Sequence, residues 1–261
     1  MPTGTHDIIA GMKRKIMIGI GVLLLAVIGV GAYIFTTLDD QDEAKAVDVV
    51  AEFRKSKQPD QPARDGLPKQ GVYTYTVTGK ERIQRGIEIS RTIPANAVAL
   101  VRHHDGGFEM ETRFSEQHVE LARFELAPEG AYLTRAVTTI VAGPIKTVRD
   151  REWKPKLLRL PVADAAKVWG GNYTAGDLTL NVKARFLPDE TVTVGGTAVD
   201  VKVVEFVQKI TGDFTGDRTE TFWYSPKTGL IIRYKIDSTL EGATDFDFTA
   251  DQTLESLEPQ V

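Results

Sequence analysis

From Val72 onward, apolar and polar residues alternate with a period of two, and glycine- or proline-bearing turns separate the runs. That period is the pleat of a β-strand, whose side chains point alternately to its two faces. GFEMETRF puts Phe108, Met110, Thr112 and Phe114 on one face and Glu109, Glu111 and Arg113 on the other, after an Asp105-Gly106-Gly107 turn. VYTYTVT, QHVELARFEL and AYLTRAVTTIVAG continue the pattern. TVTV and TAVDVKVVEFVQKI flank Gly195-Gly196, two residues free to take the positive φ of a primed hairpin turn. TETFWYS and LIIRYKIDSTL flank Pro226-Lys227-Thr228-Gly229, and Phe246 and Phe248 alternate with Asp245 and Asp247. The one helix expected inside this region is short, over residues 161 to 168.

The fold class expected for residues 71–261 is therefore mainly β, an antiparallel curved sheet of roughly ten strands closed as a half-barrel, barrel or sandwich. An open sheet of that size leaves free edges and an uncovered apolar face. The absence of cysteine excludes a thiol nucleophile, a Cys-ligated zinc and an iron–sulfur cluster. A net charge of -4 supplies no basic field for a phosphate backbone, so nucleic acid is not an expected partner.

Ahead of the β region, Ile16 opens and Leu38 closes a run of 23 residues without a charge. At about 1.5 Å per residue a helix of that length crosses a hydrocarbon core of about 30 Å. Lys13, Arg14 and Lys15 precede the run and Asp39, Asp40, Asp42 and Glu43 follow it. The Lys/Arg bias places residues 1–15 in the cytoplasm as a short tail, residues 16–38 in the membrane as a single-pass helix, and the rest outside the cell membrane. A cleaved signal peptide, with Ala44-Lys45-Ala46 as its processing site, is the alternative; the apolar run is longer than a signal core usually is. Residues 39–70 read as a stalk. Ala46, Val49, Val50 and Phe53 recur at helical spacing within residues 42 to 57, an apolar stripe for the membrane surface, the folded domain or a partner helix. Pro59, Pro62 and Pro68 then mark an extended spacer.

The stretch LRLPVADAAKVWGGNYTAG, with ETVTVGGTAVDVKVVEF, ITGDFTGDRTETFWYSPKTGLIIRYKIDST and the ending LESLEP, resembles the C-terminal half of a family of actinobacterial single-pass envelope proteins of unassigned function. More distantly, the same order of turns and strands is similar to the half-barrel lipoprotein-carrier domains of the LolA and LppX type. The resemblance covers about the last hundred residues. It implies an extracytoplasmic location and a concave apolar surface that holds an acyl chain.

Local chemistry is sparse. His103, His104 and Asp105 with His118 and Glu116 or Glu120 form the nearest approach to a metal constellation, but adjacent strand residues face opposite ways, and no metal is expected. Glu109 and Glu111 fit a like-charge pair of the acid/base kind, or solvated outer-face charges; Glu88, Arg91, Arg102 and Arg113 equally fit cross-strand ion pairs of little energy. Asp213, Asp217 and Glu220 lack EF-hand spacing. No nucleophile elbow, P-loop or dinucleotide motif occurs, so neither an enzyme nor a cofactor is expected. The strand aromatics are core by default. If the concave face is open, Trp223, Phe206, Phe114 and Tyr132 are the residues expected to hold an apolar ligand such as a lipid. A tethered interaction or scaffold module for an envelope protein partner is the competing reading.

Overall fold

The computed structural model describes residues 41–56, 66–143, 145–162 and 168–261. The expected membrane span at residues 16–38, most of the proline spacer and the centre of the expected helix at 161–168 lie outside the described residues. No helix among the described residues is long and apolar enough to cross a membrane.

The described chain begins with helix α1 (Ala46–Lys55) and continues as thirteen strands: β1 (Gly71–Arg85), β2 (Ile87–Thr92), β3 (Asn96–His104), β4 (Gly107–Arg113), β5 (His118–Ala127), β6 (Gly130–Ala142), β7 (Ile145–Pro161), β8 (Val168–Ala175), β9 (Leu178–Val194), β10 (Thr197–Gly212), β11 (Phe214–Tyr224), β12 (Ile231–Gly242) and β13 (Asp245–Leu254). From β3 to β13 each strand pairs antiparallel with the next. β13 pairs with β1, from Tyr75 opposite Leu254 to Gln84 opposite Asp245. That last ladder closes the sheet into a barrel and selects closure over the half-barrel and sandwich alternatives. Closure removes the two edges that a sheet of this width would otherwise expose.

The strands outnumber the expected ten because one stave is interrupted. β2 and β3 both run along β1, opposite residues 80–85 and 71–76. Pro94, which has no N–H to donate, separates them. Val77 N–H to the Ala95 carbonyl (2.7 Å) and Ile93 N–H to the Gly79 carbonyl (3.0 Å) carry the pairing across the break. Counted as one stave, they leave a ring of twelve.

The wall is thinnest between β7 and β8, where only Trp153 opposite Ala175 and Lys154 opposite Thr174 are paired. Pro155 withholds a donor at that point. On the other side of β7 the register jumps from Leu133–Leu157 to Arg135–Glu152, which lifts residues 153–156 out of the β6 ladder. The Trp169 indole N–H, donating to the Leu158 carbonyl at 3.1 Å, bridges the seam.

β9 and β10 form a long hairpin whose turn, Gly195-Gly196, has φ of 55° and 84°, the primed geometry expected from the sequence. α1 lies on the outer wall. Val49 and Val50 are buried with Val72, Val98 and Leu100, and Glu52 accepts hydrogen bonds from Arg102 and Arg113, each at 2.6 Å. Of the surfaces open to its apolar stripe, the helix occupies the folded domain.

Candidate functional site: a charged chain across the barrel lumen

The inward parity of each strand is set by its apolar residues, and several charged residues share it. On β1, Tyr73, Tyr75 and Val77 face in, and so does Glu81, which is buried. On β5 the same parity brings in His118 and Glu120 with Phe124. On β11 it brings in Arg218 and Glu220 with Phe222, and on β7 Arg159 with Leu157.

These groups form one chain of alternating charge. Arg91 on β2 sits opposite Glu81 and pairs with its carboxylate, while Arg91 Nη1 donates to the Val141 carbonyl at 2.8 Å. The other oxygen of Glu81 lies 2.8 Å from His118 Nδ1. His118 Nε2 is 3.7 Å from Glu120 Oε1, which is 3.5 Å from Arg218 Nη2. Arg218 Nε is 3.7 Å from Glu220, whose carboxylate also meets Arg159 Nη2 at 2.5 Å, the Tyr234 hydroxyl at 2.7 Å and the Gln208 amide. The Arg159 guanidinium lies between the rings of Phe206 and Phe222, 4.6 Å from each, a geometry that favours a planar cation.

Burial disfavours the charged forms of Glu81, His118, Glu120, Arg218 and Glu220, and the alternation of charge overrides it. His118 is fully buried, which by itself lowers an imidazole pKa; Glu120 and Glu81 on either side raise it to about 9, so it is a cation at neutral pH. Burial likewise raises Glu220, but Arg159 and Arg218 with the Tyr234 hydroxyl bring it down to about 2. Glu81 and Glu120 are lowered for the same reason, against the opposing effect of burial. A row of charges bound so closely to one another is poised to hold polar groups in place.

The lumen is not filled. A cavity of about 110 Å³ lies beside the charge chain, with Met110, Phe124, Leu133 and Phe222 as apolar wall and Arg159, Arg218, Glu120 and Glu220 as polar wall. A second, of about 80 Å³, is lined by Arg149, Arg151, Phe214 and Leu240. Glu120, Trp153, Gln208 and Arg218 border both. Trp153 also borders an open groove on the outer surface, lined by Arg135, Asp150 and Lys156. It therefore stands at the thin seam between lumen and solvent.

The four residues singled out as ligand contacts are dispersed. Phe206 and Phe114 are buried in the core, Phe206 under Arg159 and Phe114 against Phe248 at 5.1 Å. Trp223 is buried beneath the Arg233 guanidinium at 4.7 Å, and Tyr132 carries Lys156 over its ring at 5.3 Å. None borders the two lumen cavities.

The histidines separate. His103 Nε2 lies 2.7 Å from the Pro68 carbonyl, while His118 points to the lumen. Among the described residues no three His, Asp or Glu side chains group as metal ligands. Glu109 and Glu111 pair with Arg123, Arg102 and Arg113. Arg91 faces inward and forms its cross-strand ion pair with Glu81, while Glu88 meets Arg82 at 3.4 Å. Glu220 turns to the lumen while Asp217 meets Lys209.

Fold and site thus define an antiparallel β-barrel with a partly hollow, charge-lined lumen. No protein-family model matches the chain, and no curated protein matches it. The chain is similar, over 71% of its length and 86% of the other's, to the crystal structure of the hypothetical lipoprotein YmcC from Escherichia coli (K12), with 14% identity and a TM-score of 0.33.

Proposed function

We propose that the protein is a non-catalytic binding domain, anchored in the cell membrane on the extracytoplasmic side, whose barrel lumen receives a lipid or other molecule with an apolar body. The observation that supports this is the pair of adjoining cavities inside a closed barrel, with aromatic and aliphatic walls. A cavity of about 150 Å³ with apolar walls holds a single aromatic ring. The larger cavity here suits a short chain or the end of a longer one, and Trp153 at the thin seam is the side chain whose movement would lengthen it. The commitment of the lumen's acids and bases to one another supports binding over catalysis.

The test uses the full chain in lipid nanodiscs with Trp169→Phe and Trp223→Phe, so that Trp153 alone reports. Linear alcohols from butanol to octanol are expected to change its emission saturably, with affinity rising about fourfold per methylene until the space is filled. Emission that changes only in proportion to added alcohol overturns the reading.

A second reading, a tethered module that binds a protein partner, is favoured by one observation. The β7 edge over residues 145–152 has no ladder partner on its β8 side among the described residues, and Ile145 and Val148 are exposed there. An edge of that kind accepts an added strand.

A further inference from the structure

Four arginines and two glutamates border the two cavities: Arg149, Arg151, Arg159 and Arg218 against Glu120 and Glu220. The lumen is thus cationic inside a chain whose net charge is -4. Two carboxylates offset part of this at the rim: Asp177, half exposed and 3.7 Å from Arg151, and Asp213, whose charge also acts on Arg149 and Arg151. Among the described residues no carboxylate lies within ion-pair distance of Arg149, which lies over the Phe214 ring at 4.1 Å. Arg159 Nη1, Arg218 Nε, Arg151 Nε and Trp153 Nε1 are all buried without a hydrogen-bond partner. Buried N–H groups are almost always partnered in native proteins. Here four donors lack a hydrogen bond on residues that line two cavities sharing Arg218 and Trp153, and Arg218 Nε and Arg151 Nε keep only ion-pair contacts of 3.7 Å to Glu220 and Asp177; one acceptor on the same lining, Gln252 Oε1, is in the same state.

We propose that the lumen ligand is an anion with an apolar body, a carboxylate-headed amphiphile whose head lies at Arg218 between Arg159, Arg151 and the Trp153 indole N–H, and whose body lies on the Met110, Phe124 and Leu133 wall. This rests on the lumen being a binding site at all. A carboxylate supplies acceptors to several of the orphaned donors at once and offsets the excess positive charge; a neutral alcohol supplies one weak acceptor and leaves the excess in place.

The experiment titrates the full chain carrying Trp169→Phe and Trp223→Phe in nanodiscs with hexanoate, 1-hexanol and hexyltrimethylammonium, following Trp153 emission and heat. Hexanoate is expected to bind at least tenfold more tightly than hexanol, and the cation not at all. Trp153→Phe, which keeps the ring and removes the donor and is read by heat, is expected to weaken hexanoate about three- to tenfold and leave hexanol unchanged. Arg149→Gln, a substitution outside the buried charge chain, is expected to weaken hexanoate in the same range. Hexanol binding as tightly as hexanoate overturns the anion assignment and leaves lumenal binding standing; no saturable binding of any of the three overturns both.

Discussion

Glu81 stands between two cations, and its removal tests the charge chain at its most buried point. Glu81→Ala leaves Arg91 with no carboxylate in a site where both side chains are almost wholly buried. An uncompensated buried charge costs about 3 to 5 kcal/mol. A matching drop in urea-unfolding free energy is the expected outcome. His118 gives the chain a pH signature. Its pKa of about 9 in the barrel exceeds the roughly 6.5 of an unfolded chain. Its pairing therefore stabilises fully below about pH 6.5 and is lost as the pH climbs through 9, a loss on the order of 3 kcal/mol. The urea midpoint is expected to fall between pH 6.5 and 9.5, and His118→Gln to flatten that fall. Glu220 behaves oppositely: its contribution is full above about pH 4.5 and is lost as the pH falls through about 2. Each of these charged residues was visible in the sequence as an ionic side chain on the apolar parity of its strand. A search for contiguous motifs misses them, because partners such as His118 and Glu81 come from strands far apart in the chain.

Among the elements, β1 carries the closure, since it pairs with β13 on one side and with the broken β2–β3 stave on the other. Gly79 sits at the break. A Cβ there would overlap the Thr249 carbonyl of β13, so Gly79→Ala is expected to push the two strands apart and lower the melting temperature by 10 °C or more, a shift on the order of 3 kcal/mol. The α1 contact is smaller. Val49→Ala removes a buried side chain from the outer wall and is expected to cost about 1 to 2 kcal/mol in urea unfolding, without changing ligand affinity in the lumen. The strands and hairpin turns were legible because alternation and glycine pairs are local signals, as Phe108 to Phe114 and Gly195-Gly196 show. The break at Pro94 and the bulge at residues 153–156 were not, because both depend on which neighbour a strand meets.

At the scale of the whole molecule, period-two patterning demands that one face of the sheet be covered and its edges be managed, which barrels and sandwiches satisfy equally. Choosing between them takes the β1–β13 ladder, a pairing of the first and last strands that no local pattern encodes. The apolar aromatics Trp223, Phe206, Phe114 and Tyr132 drew attention by size. The space in the lumen is bordered by other aromatics, Phe124, Trp153, Phe222 and Tyr234, together with arginines. Barrel closure with a polar-lined lumen costs desolvation that a solid apolar core avoids, and occupancy by a ligand offsets that cost. The most direct test is native mass spectrometry of the full chain purified under gentle conditions from membrane-containing cells. An added mass that leaves on mild activation, is seen in negative-ion mode as a carboxylate-bearing molecule, and is diminished in Arg149→Gln is the expected result. A bare protein mass that stays bare after incubation with lipids extracted from those cells would contradict the account.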